Sequence, residues 1–308
     1  MSRIRFRAGL VAGTAGLILF TSQGASAHGF AGARFFPATI ATDDPFVADE
    51  LALPTVAWFK DSGDVETTTY SVDLSKRITT NFGIGFGGTF LRLRPPGAPS
   101  LDGFDNFHVS AKYQLVVDAM RETIFSIGVD ADLGGTGTSR IGVDRFSTLT
   151  PTVFFGKGFG DLADQMSLFR PLAVTGSIGL GIPTEARRPD GFGGFEEHPD
   201  TLKVGFAVEY SLPYLQGQVR NVGLGAPFDR MIPLVELSLE TPLDRGGGKT
   251  TGTLNPGLLW AGQYVQLGVE AILPINRASG HAVGFLAQLH FYVDDLLPTT
   301  LGRPLFGR

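Results

Sequence analysis

The chain has 308 residues, a net charge of −5 and no cysteine, and 18% of its residues are charged. The acidic balance argues against a nucleic-acid partner, and the absence of Cys rules out a disulfide framework, so sheet hydrogen bonds and packing must hold the fold. A charged fraction below the usual ~25% leaves more apolar surface than a water-soluble shell requires.

Arg3, Arg5 and Arg7 precede an apolar stretch from Ala8 to Phe20, and Ala25-Ser26-Ala27 is a small-x-small cleavage motif. This three-part pattern predicts a cleavable export signal over residues 1–27, with His28 as the mature start. The apolar stretch is shorter than the roughly 18–20 residues of a spanning helix. No later run reaches that length, so no transmembrane helix is expected. Residues 28–50 show no period: Phe30, Phe35, Phe36 and Phe46 are scattered among Gly, Pro and Asp, as in an ordered loop, a plug or a lead-in segment.

From residue 51 to 295 the pattern changes to period 2, the mark of strands with one apolar and one polar face. Twelve candidates follow: Leu53–Lys60, Thr68–Ile78, Asn81–Arg92, Asn106–Val117, Thr123–Leu133, Phe146–Phe155, Pro171–Ile182, Leu202–Leu212, Ile232–Thr241, Thr251–Ala261, Tyr264–Leu273 and Ala282–Val293. In the eighth, Leu202, Val204, Phe206, Val208 and Tyr210 alternate with Lys203, Gly205, Ala207 and Glu209. The sixth alternates less well. Globular strands average about 5–6 residues, whereas crossing a bilayer at a tilt takes about 9–11; these candidates fall in the second class. An even number is expected for bacterial outer-membrane barrels. Short links, such as Thr79-Thr80 and Gly262-Gln263, alternate with long Gly- and Pro-rich ones over 95–105, 134–145, 183–200 and 242–250. That is the asymmetry of periplasmic turns and extracellular loops. The links 156–168 and 213–231 are long where the rule asks for short ones. Residues 296–308 form a tail.

A soluble sandwich would bury the apolar faces against each other. The strand lengths, a polar face rich in Gly, Ser and Thr, and charges gathered in the loops favour the inverse arrangement. The expected fold is therefore an all-β, antiparallel up-and-down transmembrane barrel of twelve strands, with the apolar face toward lipid. The inward face would carry Asp73, Arg77, His108, Lys112, Gln114, Asp130, Asp132, Lys203, Glu209, Glu236, Glu240, Gln266, Glu270, Gln288 and His290. These residues either line a cation-tolerant path with an acidic bias or fill a narrow barrel with ion pairs and hydrogen bonds. Trp58, Tyr70, Trp260, Tyr264 and Tyr292 stand at strand ends and are candidates for interfacial girdles.

No catalytic residue, metal ligand or cofactor is assigned. His108 and Ser110 share a strand face, as in outer-membrane phospholipases, but the flanking residues differ and the next strand offers no Asn to complete the set. The Gly-rich run Phe155 to Asp161 lacks the spacing of a phosphate-binding loop.

The segments Leu254-Asn255-Pro256-Gly257-Leu258-Leu259-Trp260 and Gln266 to Asn276, together with Phe35-Phe36-Pro37-Ala38-Thr39 and Phe291-Tyr292-Val293-Asp294-Asp295, resemble the outer-membrane family of the phenol meta-pathway (the MetA pathway of phenol degradation). The resemblance implies a barrel in the bacterial outer membrane that carries small, often hydrophobic or aromatic, molecules. Outer-membrane lipid, the barrel-assembly machinery and a small-molecule solute are the partners it implies. The chain departs from the usual barrel ending, a strand with a terminal aromatic, by closing Phe306-Gly307-Arg308. Alternative readings are a closed structural or adhesive barrel whose outer loops bind a partner, and a lipid-hydrolysing barrel.

Overall fold

A computed structural model describes residues 29–189, 194–244 and 247–307. The expected export signal, residues 1–27, and the expected mature start, His28, lie outside the described residues.

Twelve long strands form a closed antiparallel barrel. They are β1 (Glu50–Lys60), β2 (Glu66–Arg77), β3 (Phe82–Arg94), β4 (His108–Asp118), β5 (Thr123–Asp132) and β6 (Thr148–Gly158), then β7 (Leu172–Pro183), β8 (Thr201–Tyr210), β9 (Met231–Pro242), β10 (Thr251–Ala261), β11 (Val265–Pro274) and β12 (Gly284–Tyr292). Each pairs with its neighbours in chain order, and β12 pairs with β1, so the sheet has no free edge. Closure satisfies the backbone groups that hydrocarbon cannot. A four-residue strand, Leu101–Phe104, extends the sheet beside β3, and Arg187–Pro189 pairs with Phe195–Glu197 in a far-end loop.

The alternation resolves into an outside and an inside. On β8, Val208 is exposed outward, while Ala207 and Glu209 are buried inward. Val72, Leu74, Ile84, Phe86, Ile127, Val129, Val235, Leu267 and Val269 are exposed around the outer wall. So many large exposed hydrophobics would be a liability in water and suit a lipid surface.

The barrel has two dissimilar ends. The near end carries Glu50, Tyr292 and the short turns 78–81, 119–122 and 262–264. It also carries the two long connections, 159–171 and 211–230, which fold into the short helical turns Asp164–Phe169, Leu212–Tyr214 and Phe228–Arg230. The far end carries longer loops at 95–107, 133–147 and 184–200.

The core of the protein lies inside the barrel. Residues 29–49 turn back through a short hairpin, Phe30–Ala31 against Arg34–Phe35, and then occupy the lumen from the near end. Ala31, Phe36 and Phe46 pack with inward-facing Ile124 and Ala173. Ile40 and Phe35 pack on Ile232, Leu234 and Leu259, and Ile40 also meets Ala57, Ile272 and Leu286. Burial of one such Phe or Ile stabilises by about 1.5–3 kcal/mol. The inward face is therefore not uniformly polar. β9 and β10 turn Ile232, Leu234 and Leu259 inward near the base, and β11 and β12 turn Ile272 and Leu286 inward further along, where the plug supplies apolar partners. Gly268 is one of the seats: a Cβ at that position would run into Ile40 Cδ1.

The tail also folds back. Val293–Leu296 forms one helical turn, and the chain then runs under β2. Lys76 Nζ donates to the carbonyls of Leu301 and Arg303, and Arg77 Nη2 to that of Gly302. The Phe306 N–H donates to Ile78 O at 2.8 Å, leaving the Phe306 ring exposed.

Candidate functional site

The lumen is divided by the tip of the plug, residues 39–45, and one side chain holds that tip. Glu236, on β9, is 0% exposed. Its carboxylate accepts from the N–H of Ile40 (2.8 Å), Ala41 (3.0 Å) and Thr42 (2.7 Å), and from Thr42 Oγ1 (2.8 Å). Three consecutive amides converging on one anion form a nest, which replaces the water a buried carboxylate has lost. Flanking contacts extend the grip. Gln266 Nε2 donates to Ala38 O at 2.7 Å, Ser126 Oγ to Pro45 O at 2.5 Å, and Lys112 Nζ to Asp44 O at 2.7 Å. Lys112 also lies 4.5 Å from the Phe154 ring centroid.

Two further clamps fix the base. Asp49 accepts from Lys76 Nζ (2.6 Å), Arg77 Nε (2.8 Å) and the Arg77 N–H (2.8 Å). Arg34, 0% exposed, pairs with Glu122 at 3.1 Å, donates to the carbonyls of Arg170 and Pro171, and stacks 3.7 Å over the Tyr214 ring. The Tyr214 hydroxyl donates to Glu122 Oε1 at 2.7 Å, and burial first, with Glu122 beside it, pushes that hydroxyl up to about 12. It therefore stays a donor across the physiological range. The 211–230 connection thus has a role the sequence did not show: it braces the plug.

The fifteen inward candidates fall into distinct groups. Arg77, Lys112, Glu236 and Gln266 hold residues 29–49 in place. Glu209 and Glu270 are buried in the wall. Asp73, His108, Asp130, Gln288 and His290 line a cavity of about 210 Å³ between the plug tip and strands β1–β6 and β12. Lys203 and Glu240 line a second cavity, of about 220 Å³, across the plug tip. Asp132 is exposed at the far end of β5, and Gln114 is half-buried on β4. Sequence reasoning missed Arg34, Asp44, Asp49, Glu122 and Tyr214. Their only signal was charge within or opposite a Phe-rich stretch without a period.

The five aromatics separate by level. Trp58, stacked on Phe285 with ring centroids 6.3 Å apart, and Tyr70 face outward in the far half. Trp260 and Tyr264 lie at the near end. Tyr292 does not belong to a girdle. It is 1% exposed, points into the lumen, and donates its hydroxyl to Gln266 Oε1 at 2.9 Å. The β12 alternation places it inside, and the plug covers it.

The 210 Å³ cavity carries charge of mainly one sign. Asp43, Asp44, Glu50, Asp73 and Asp130 line it, against Lys112, His108 and His290. His108 Nε2 sits 2.9 Å from Asp73 Oδ1, and Lys112 is committed to Asp44. Asp44 lies off the barrel wall, on the plug. Burial, opposed by Lys112 and reinforced by Glu50, pushes its carboxyl up from 3.8 to about 6. Among the described residues no group of three or more acidic or histidine side chains converges tightly enough to hold a metal ion. Ser110 lines the same cavity, but no hydrogen bond joins it to His108 among the described residues.

No protein-family model and no curated protein matches the sequence. Solved structures do. The COG4313 outer membrane channel from Pseudomonas putida F1 superposes with a TM-score of 0.53 at 11% identity, covering 84% of this chain and 98% of that one. The KdgM porin aligns over 78% of this chain and 98% of its own at 10% identity, with a TM-score of 0.47. The NanC porin aligns over the same shares at 9% identity and a TM-score of 0.47. The likeness to the COG4313 channel is one of fold, the closed antiparallel β-barrel.

Proposed function

We propose that this protein is a passive channel of the bacterial outer membrane, with the near end in the periplasm and the far end outside. Lipid would meet the apolar wall, and the barrel-assembly machinery would insert it. The observation that carries the reading is the unfilled part of the lumen: two polar cavities flank a plug that hydrogen bonds hold in place. The acidic lining favours small cations over anions. The resemblance to the phenol meta-pathway family extends the candidates to small aromatic solutes, to be compared in the same assay. Liposome swelling with sized, charged and aromatic solutes is the test. Faster swelling for small cations than for matched anions is expected, and no swelling with the folded protein rejects the channel.

A second reading has its own observation. Residues 29–49 occupy much of the barrel interior, which suits a closed structural barrel whose far-end loops bind a partner. The two separate on Glu236→Ala: a channel with a releasable plug swells faster, whereas a purely structural barrel stays silent.

A further inference from the structure

The cavity beside the plug tip is lined by more acceptors than donors. Three of its donors are engaged: Gln288 Nε2 binds Thr55 Oγ1 at 3.0 Å, Lys112 Nζ binds Asp44 O, and His108 Nε2 faces Asp73. His290 is ion-paired with Glu50, whose Oε2 lies 3.6 Å from Nε2. Gln288 Oε1, by contrast, is buried without a hydrogen bond. Asp43 on the plug tip and Asp130 on β5 face the same cavity with no ion pair among the described residues.

A buried acceptor without a donor is costly, and native interiors rarely leave one unsatisfied. Gln288 Oε1, beside two unpaired carboxylates, specifies the complement: a positively charged group rich in N–H donors. A bare metal ion fits poorly, because no tight cluster of acidic or histidine ligands forms among the described residues. The size is also informative. At about 210 Å³ the cavity is smaller than the roughly 300–1,000 Å³ of drug-sized sites.

We propose that this cavity binds one small organic cation with a guanidinium or primary ammonium head, held between Asp43 of the plug and Asp130 of the wall and donating to Gln288 Oε1. The inference deepens the channel reading and rests on it, since the ligand must reach the cavity through the lumen. Because one anchor is on the plug and the other on the barrel, an occupied site also bridges the two.

Equilibrium dialysis of radiolabelled methylguanidinium against the detergent-folded protein at low salt tests this without requiring conductance. One saturable site per chain is expected. Asp43→Asn and Asp130→Asn should each weaken it about tenfold, the loss of one charge-assisted hydrogen bond. Gln288→Leu should weaken methylguanidinium binding but not the competition by K⁺. Unchanged electrophoretic mobility of the unheated variants verifies folding. Absence of saturable binding to the wild type, wild-type affinity in both Asn variants, or displacement by K⁺ at the same concentration as methylguanidinium would each overturn the proposal. Binding without conductance in planar bilayers rejects the channel and leaves the site standing; conductance without binding does the reverse.

Discussion

Removing the Glu236 carboxylate should release the plug. In Glu236→Ala, the N–H groups of Ile40, Ala41 and Thr42 and the Thr42 hydroxyl lose an acceptor at 2.7–3.0 Å. Hydrogen bonds to a charged group contribute about 1.5–3 kcal/mol each when counted singly. Four sharing one carboxylate do not add, and water from the adjoining cavity can reach Thr42. A total of about 3–5 kcal/mol is the scale for truncating one partner of a buried charged cluster. That multiplies the undocked population by roughly 150- to 4,000-fold. Because the chain has no cysteine, Ala38→Cys introduces a unique thiol on the buried part of the plug. Its reaction with a membrane-impermeant maleimide reads the opening. Glu236→Ala should speed labelling by at least about a hundredfold, and Glu236→Gln by less, since one acceptor oxygen remains. Glu240→Ala, on the same strand and face but without a bond to the plug, should leave it unchanged. Equal rates in wild type and Glu236→Ala, with the barrel still folded, would refute the idea that this carboxylate holds the plug.

The plug seat, the outer wall and the plug carboxyl can each be probed in turn. Gly268→Leu puts a side chain into the space of Ile40, so it should accelerate labelling of the thiol at position 38 while leaving barrel assembly intact; slow labelling would mean that the seat at Gly268 is not needed. Phe206→Arg places a charge in the middle of the outward face and should destabilise the barrel in lipid by about 2–4 kcal/mol in urea unfolding, whereas no loss would argue against lipid contact there. The raised carboxyl of Asp44 makes plug docking strongest when it is protonated, so docking weakens as pH rises from about 4 to about 6 and is level above that. Hydrogen exchange of residues 36–48, corrected for intrinsic rates, should show this slope in the wild type and lose it in Asp44→Asn; a slope retained in the variant points to another group.

The strands were legible because period 2 is local: each carries its own pattern, whatever lies beside it. For Thr251–Ala261 the expected and observed limits coincide, while β1 begins at Glu50, three residues before the expected Leu53. The difference arises around the register shift between Ala52 and Thr55, where the alternation lapses. The plug was not legible in the same way. Residues 29–49 have no period, and Glu236, which holds Ile40, lies 196 residues further along the chain. Tyr292 was misplaced as a girdle residue because an aromatic at a strand end reads alike whether it meets lipid or a plug.

The sequence alone therefore determined a twelve-stranded, two-faced barrel and the direction of its apolar face, because backbone satisfaction and side-chain alternation are properties of each strand and its immediate neighbour. Only the tertiary structure decided what the inward polar residues do. Glu236 and Gln266 turn out to grip a plug, and Gly268 to make room for it, while Asp130, Gln288 and His290 surround a cavity. The same alternation permits either role; which one a residue takes depends on what the nonperiodic segment brings within bonding distance of it.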